Sequence, residues 1–137
     1  MSANQPPHGV VAVVLRNDKF LVIRRSQHVR APGMYCFPGG SIEAGESEEV
    51  AVVREFSEEL GAVVMPTRRL WASLTVTNVQ LAWWLVSLAD SQSLQPNPLE
   101  VESIHWLRSD EALALPQLLA SNRDFYAAWA SGDFGLP

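Results

Sequence analysis

The chain has 137 residues, 47% of them hydrophobic and 18% charged, with a formal net charge of -5 and a single cysteine. That length supports one domain with a core of its own, and the lone Cys36 rules out an internal disulfide or a cysteine metal cage. The negative balance excludes a general binder of nucleic-acid polymer, which needs a basic face, but leaves room for a small anionic substrate reached through a cation.

The opening residues, MSANQPPHG, lack the basic patch and apolar core of a signal peptide. Gly9–Arg16 and Phe20–Arg25 read as strands rich in Val, Leu and Ile, joined by a turn at Asn17-Asp18. His28–Gly40 reads as a structured loop with one short strand. Ser47–Leu60 is expected to be a helix, with Ser47 as N-cap, Glu48 and Glu49 at the positive end of the dipole, and Gly61 at C′. Ala62–Val76 and Val79–Leu88 suggest a long hairpin around Thr77-Asn78. Ser103–Leu107 follows as a strand, and Ser109–Leu115 and Ser121–Ala130 as helices. The apolar runs Val10–Leu15 and Leu81–Val86 are too short to span a bilayer. The expectation is therefore one cytoplasmic domain, residues 1–137, of mixed α/β (α+β) class: a mixed sheet between helices, with no membrane partner.

The chemistry concentrates in Gly39–Val63, GGSIEAGESEEVAVVREFSEELGAV. At about 100° per residue, Glu55, Glu58 and Glu59 share an arc of roughly 100° on the helix. Val50, Val53, Phe56 and Leu60 fall on the other side and are expected to face the core. Carboxylates one turn apart repel, and a hard cation such as Mg²⁺ or Mn²⁺, which takes oxygen ligands, relieves that repulsion. Three glutamates alone are more commonly a solvated acidic face. The flanking residues carry the assignment.

In register, Gly40, Glu46, Arg54, Glu55, Phe56, Glu58, Glu59 and Gly61 resemble the Nudix box, G-x5-E-x7-R-E-U-x-E-E-x-G-U, over residues 40–62. Phe56 stands where an aliphatic residue is usual, and the small Ala62 fills the last apolar position. The resemblance implies an α/β/α sandwich and a Mg²⁺-dependent hydrolase of phosphoanhydride bonds. It further implies that Glu55 and Glu59 bind the cation directly, that Glu58 is a direct or water-held ligand, and that the Gly39 carbonyl completes the shell. Arg54 resembles the arginine that orients a box glutamate. Glu46 either accepts that arginine, holds metal through water, or simply sits at a helix N-terminus. The general base is Glu55 or Glu100, six residues before Trp106, where relatives carry a distal carboxylate; Glu102 is a weaker choice. A diphosphate also needs cationic contacts from Arg24, Arg25 or Arg30, and alternation sends Arg24 and Arg25 to opposite faces.

The substrate expected first is a nucleoside triphosphate, as for MutT-type pyrophosphatases. Asn122 would either read a purine edge through its amide or cap the last helix. Trp83 and Trp84 would point to opposite faces, with core packing the default for both. Markers of the ADP-ribose and dinucleoside polyphosphate subgroups are missing: Thr77 stands in place of Pro, and Asn78, Val79 and Gln80 in place of Tyr. LVIRRSQHVRAPGMYCFPGG, Leu21–Gly40, partly matches the coenzyme A subgroup in Arg25, Ser26, Arg30, Gly33 and Phe37–Gly40. A coenzyme A or other dinucleotide-type substrate is therefore the alternative. Outside hydrolysis stand a nucleotide-sensing domain and an isopentenyl diphosphate isomerase using Cys36. The resemblance leaves a homodimer open.

Overall fold

The computed structural model describes residues 8–137. One four-stranded sheet has the order β5 (Gly39–Ser41), β1 (His8–Val13), β7 (Gln80–Ser87), β6 (Met65–Leu74). The β1–β7 pair is parallel, whereas β1–β5 and β6–β7 are antiparallel. In the second sheet, β3 (Lys19–Arg25) pairs with β2 (Leu15–Arg16), β4 (Tyr35–Cys36) and β8 (Val101–Leu107), all antiparallel. The helices are α1 (Glu48–Leu60), α2 (Ser109–Leu113) and α3 (Ala120–Ala130).

The run expected as one strand, Gly9–Arg16, divides at Val14 because its two ends serve different sheets. The turn after it holds Asn17 and Asp18 at φ 51° and 63°, the left-handed pair that a two-residue hairpin favours and that Asn and Asp tolerate. The strand expected from Ala62 begins at Met65, since Ala62 and Val64 are buried directly under the helix end.

Alternation in β1 builds two cores. Val10, Ala12 and Val14 pack with Ala51, Val52, Phe56 and Leu60 of α1, and with Leu21, Ile23 and Ala82. Val11 and Val13 pack on the other side with Phe20, Val22, Phe37, Trp83, Phe125 and Tyr126. Helices thus cover both faces of the central strands, as expected. The α3 side is an aromatic cluster, with Trp83 stacked on Phe125 at 4.9 Å and Phe37 edge-on to Phe125 at 5.2 Å. Trp83 and Trp84 do point to opposite faces. Trp83 is fully buried, while Trp84 donates from Nε1 to Glu48 Oε1 at 2.9 Å.

Phe56 and Leu60 lie in the core as expected and Val53 packs half-buried against it, but the core face of α1 is shifted away from Val50. Ala51, Val52, Phe56, Leu60 and Glu59 are buried, whereas Val50 is 58% exposed. The helix is rotated so that Glu55 and Glu59 meet the glycine strand β5. Placing Glu59 inside displaces Val50 outward. Phe56 is nonetheless fully enclosed, so the aromatic variant of the motif is accommodated by packing.

Candidate functional site

The site begins with the caps that fix α1. Ser47 Oγ accepts the Val50 N–H at 3.1 Å, and Gly61 closes the helix in the left-handed region at φ 64°. Opposite the helix lie Gly39 and Gly40, both of which are glycine for want of room. A Cβ on Gly39 would collide with the Val10 carbonyl oxygen, and one on Gly40 would occupy the place of the Glu55 carboxylate. The small strand thereby lets α1 approach until the Gly39 N–H donates to Glu59 Oε1 at 2.9 Å.

Arg54 organises the outer part of the acid face. Its Nε and Nη2 bind the two oxygens of Glu46 at 2.6 and 2.8 Å, and Nη1 reaches Glu55 at 3.0 Å and Glu58 at 3.2 Å. Nη2 also donates to the Ser41 carbonyl at 3.0 Å, tying helix to strand. Of the roles open for Glu46, accepting this arginine is the one seen; the hydrogen bonds from Arg54 hold its carboxyl down to about 2. Glu58 is half exposed, and Glu55 is largely enclosed.

Deeper in, Glu59 is 7% exposed. Burial pushes its carboxyl up to about 8; the Gly39 hydrogen bond opposes this, the negative charges of Glu55 and Glu100 add to it, and Arg25 opposes it. Glu55 is raised mainly by burial, against its bond to Arg54, with Glu58 and Glu100 adding. Glu100 therefore stands near both helix carboxylates, although it comes from the distant loop before β8. Its Oε2 is buried without a hydrogen-bond partner among the described residues. Such a carboxylate oxygen calls for a cation or a proton.

These groups fit a hard cation: they are oxygen donors, mutually repelling, partly desolvated, and one is unsatisfied. Among the described residues no group of three or more His, Cys, Asp or Glu side chains is arranged to hold a metal ion by itself. Mg²⁺ does not require one, because it keeps several waters and takes one or two carboxylates together with substrate phosphates.

The arginines separate as alternation predicts. Arg25 lies on the α1 side, where its charge acts on Glu59, with Nε on the Arg30 carbonyl at 2.6 Å and Nη1 3.8 Å from Cys36 Sγ. Arg24 lies on the other face, paired with Glu102 at 3.2 Å and set 5.3 Å from the centre of the Tyr35 ring. That removes Arg24 and Glu102 from the carboxylate cluster. The Arg30 side chain is exposed, and only its backbone enters the network. Asn122 is not a cap: α3 starts two residues earlier behind Leu119. It is buried, its Oδ1 accepts the Phe37 N–H at 3.1 Å, and its Nδ2 has no partner among the described residues. Burial pushes the Cys36 thiol up to about 11, against the pull of Arg25, so it is a poor proton donor near neutrality.

Sequence reasoning missed the bonds that hold the Glu100 loop. Ser26 donates from Oγ to the Leu99 carbonyl at 2.8 Å and from its N–H to the Glu100 carbonyl at 3.0 Å. Asn97 donates from its N–H to the Glu59 carbonyl at 2.8 Å. The available signal was Asn97-Pro98, a turn dipeptide before an acidic residue.

The architecture matches the crystal structure of a MutT protein from Methanosarcina mazei Go1, with a TM-score of 0.77 at 24% identity, covering 96% of this chain and 99% of that one. The class is therefore the Nudix-type sandwich. The family model for the NUDIX domain matches residues 6–129, so the chain belongs to the Nudix family. It is 30% identical over 128 residues to the NAD-capped RNA hydrolase NudC of Stutzerimonas stutzeri, a match covering 93% of this chain and 46% of that protein. It is 38% identical over 58 residues to the ADP-ribose pyrophosphatase of Methanocaldococcus jannaschii, covering 42% of this chain and 34% of that one. The chain spans less than half the length of these curated relatives. No helix among the described residues is long and apolar enough to cross a membrane.

Proposed function

We propose that the chain hydrolyses the phosphoanhydride bond of a small nucleoside diphosphate-linked compound, with Mg²⁺ or Mn²⁺ as cofactor. The carrying observation is the meeting of Glu55, Glu59 and the unpartnered Glu100 oxygen beside the Gly39–Gly40 strand. Glu55 and Glu59 would hold the cation, with Glu58, Glu100 and the Gly39 carbonyl as the further oxygen donors. When bound, the cation lowers the pKa of water and neutralises charge on the phosphoryl oxygens.

The chain's own groups supply the rest. The Gly39 N–H fixes one oxygen of Glu59 and leaves the other free. Arg54 orients Glu55 and Glu58 without itself reaching substrate. Arg25, whose charge already acts on Glu59, would neutralise a phosphate oxygen. Glu100 or Glu55 takes a proton from water as its oxygen bonds to phosphorus, and the bridging anhydride oxygen leaves on the other phosphate.

Among substrates, the named relatives favour a dinucleotide-type compound, since NAD and ADP-ribose both carry a diphosphate linking two sugars. The nucleoside triphosphate reading gains no support from Asn122, whose amide oxygen is engaged by Phe37. The isomerase reading is weakened by the enclosed, high-pKa Cys36. Product analysis decides the class. With Mg²⁺, NADH or ADP-ribose should each yield two monophosphates, while a nucleoside triphosphate should be turned over far more slowly. Faster release of pyrophosphate from a triphosphate would reverse the order. Nucleotide binding without any product would move the chain to the sensor class.

A further inference from the structure

We infer that Ser26 is a positioning residue that sets Glu100 against the helix carboxylates. This rests on the reading of Glu100 as a cation-facing group. Glu100 sits between the buried Val101, 2% exposed, and the exposed Leu99 (63%) and Pro98. Apolar burial therefore fixes only the strand side of Glu100, and hydrogen bonds must hold the loop side.

Those bonds converge on the carbonyls flanking the Glu100 amide. Ser26, 3% exposed, spans the peptide units on either side of Glu100, with Oγ donating to the Leu99 carbonyl at 2.8 Å and N–H to the Glu100 carbonyl at 3.0 Å. Its hydroxyl oxygen also accepts the His28 N–H at 3.1 Å, which fixes the direction of the donated proton. The β3–β8 register shifts between Arg24 and Arg25, immediately before Ser26. That irregularity brings Ser26 opposite the loop rather than opposite the next residue of a regular ladder. Asn97 completes the clamp. It donates to the Glu59 carbonyl at 2.8 Å, and its own carbonyl accepts the N–H groups of Glu100 at 2.9 Å and Val101 at 2.7 Å. One end of the loop is thus held by the Glu59 carbonyl and the other by Ser26, the residue following Arg25. Ser26 acts through backbone geometry and touches neither cation nor substrate.

The test uses Mn²⁺ alone, with its affinity measured by electron paramagnetic resonance, in the full chain. The variants are Ser26→Cys, Ser26→Thr, Glu100→Gln and Ser26→Cys combined with Glu100→Gln. Cysteine keeps the approximate size but offers only a weak donor, while threonine keeps the hydroxyl. Ser26→Cys should weaken Mn²⁺ binding about tenfold, in the range of outer-shell partners, and Ser26→Thr should restore it. The double variant should bind no more weakly than Glu100→Gln alone, because both changes remove the same contribution. Additive losses, or unchanged affinity in Ser26→Cys beside a weakened Glu100→Gln, would overturn the role of Ser26. Unchanged affinity in Glu100→Gln would remove the premise and the inference together. Glu59→Gln, measured alongside, separates these from failure of the metal site as a whole. Unfolding in EDTA confirms that each variant is folded; should Ser26→Cys fail that check, Ser26→Ala, which removes the hydroxyl donor to the Leu99 carbonyl without added bulk, and its combination with Glu100→Gln put the same non-additivity to the test.

Discussion

Replacing Glu59 by Gln isolates the cost of holding a charge between α1 and the glycine strand. The Glu59 carboxyl is pushed from 4.5 in the unfolded chain to about 8 in the folded one, chiefly by burial. Between those values the unfolded chain has released the proton and the folded chain has kept it, so the folded state binds more protons. Stability without cation must therefore fall as pH rises through that window, by at most ~1.4 kcal/mol per unit. Integrated from pH 5 to 8, the loss has a ceiling of ~3 to 4 kcal/mol, reduced by whatever water reaches the group. Glutamine retains an oxygen for the Gly39 N–H and cannot ionise. Urea unfolding in EDTA at pH 5, 6, 7 and 8 should show a decline in the wild type that is clearly smaller in the variant, where the raised Glu55 remains, and the variant should be the more stable protein at pH 8. Excess Mg²⁺ at pH 8 should stabilise the wild type and leave the variant nearly unchanged. Parallel pH dependences for the two proteins would refute the assignment of that cost to Glu59.

Other substitutions separate framework from site. Gly39→Ala meets a backbone oxygen and should cost ~1 to 3 kcal/mol in urea unfolding, whereas Gly40→Ala meets only the movable Glu55 carboxylate. Gly40→Ala should therefore destabilise less than Gly39→Ala while lowering Mg²⁺-dependent turnover at least tenfold; equal destabilisation of the two would contradict this. Ser47→Ala removes the N-cap acceptor of α1 and should cost about 1 kcal/mol by denaturant melts, with no loss if the cap is idle. Phe125→Ala opens the aromatic cluster on the side away from the carboxylates and should cost ~3 to 5 kcal/mol, again read by urea unfolding. A loss below 1 kcal/mol would mean that the cluster collapses around the gap.

The α1 helix and its acid residues were legible because local rules coincide there: Ser47 caps it, Gly61 ends it, and the glutamates recur at helical spacing. The face it buries was legible in part: Phe56 and Leu60 are buried and Val53 packs against the core as periodicity indicates, but Val50 is exposed. Only the close approach of β5, which two glycines permit, explains why Glu59 lies inside instead. The division of Gly9–Arg16 escaped notice because strand propensity is blind to which sheet a residue joins. Alternation correctly separated Arg24 from Arg25, but choosing between them required the positions of Glu59 and Glu102. Asn122 carries a buried backbone contact to Phe37, a long-range bond that no local pattern announces. Ser26 and Asn97 were invisible for the same reason: their partners lie across the fold, and their effect runs through the main chain.

The most direct test of the central claim is turnover of NADH and ADP-ribose by wild-type protein in Mg²⁺ and in EDTA, beside folded Glu59→Gln. Cleavage into monophosphates is expected in Mg²⁺ and none in EDTA, with a loss in the variant exceeding the ~10- to 100-fold typical of an outer-shell partner. Full activity in EDTA, or near-normal Mg²⁺-dependent turnover by Glu59→Gln, would contradict it.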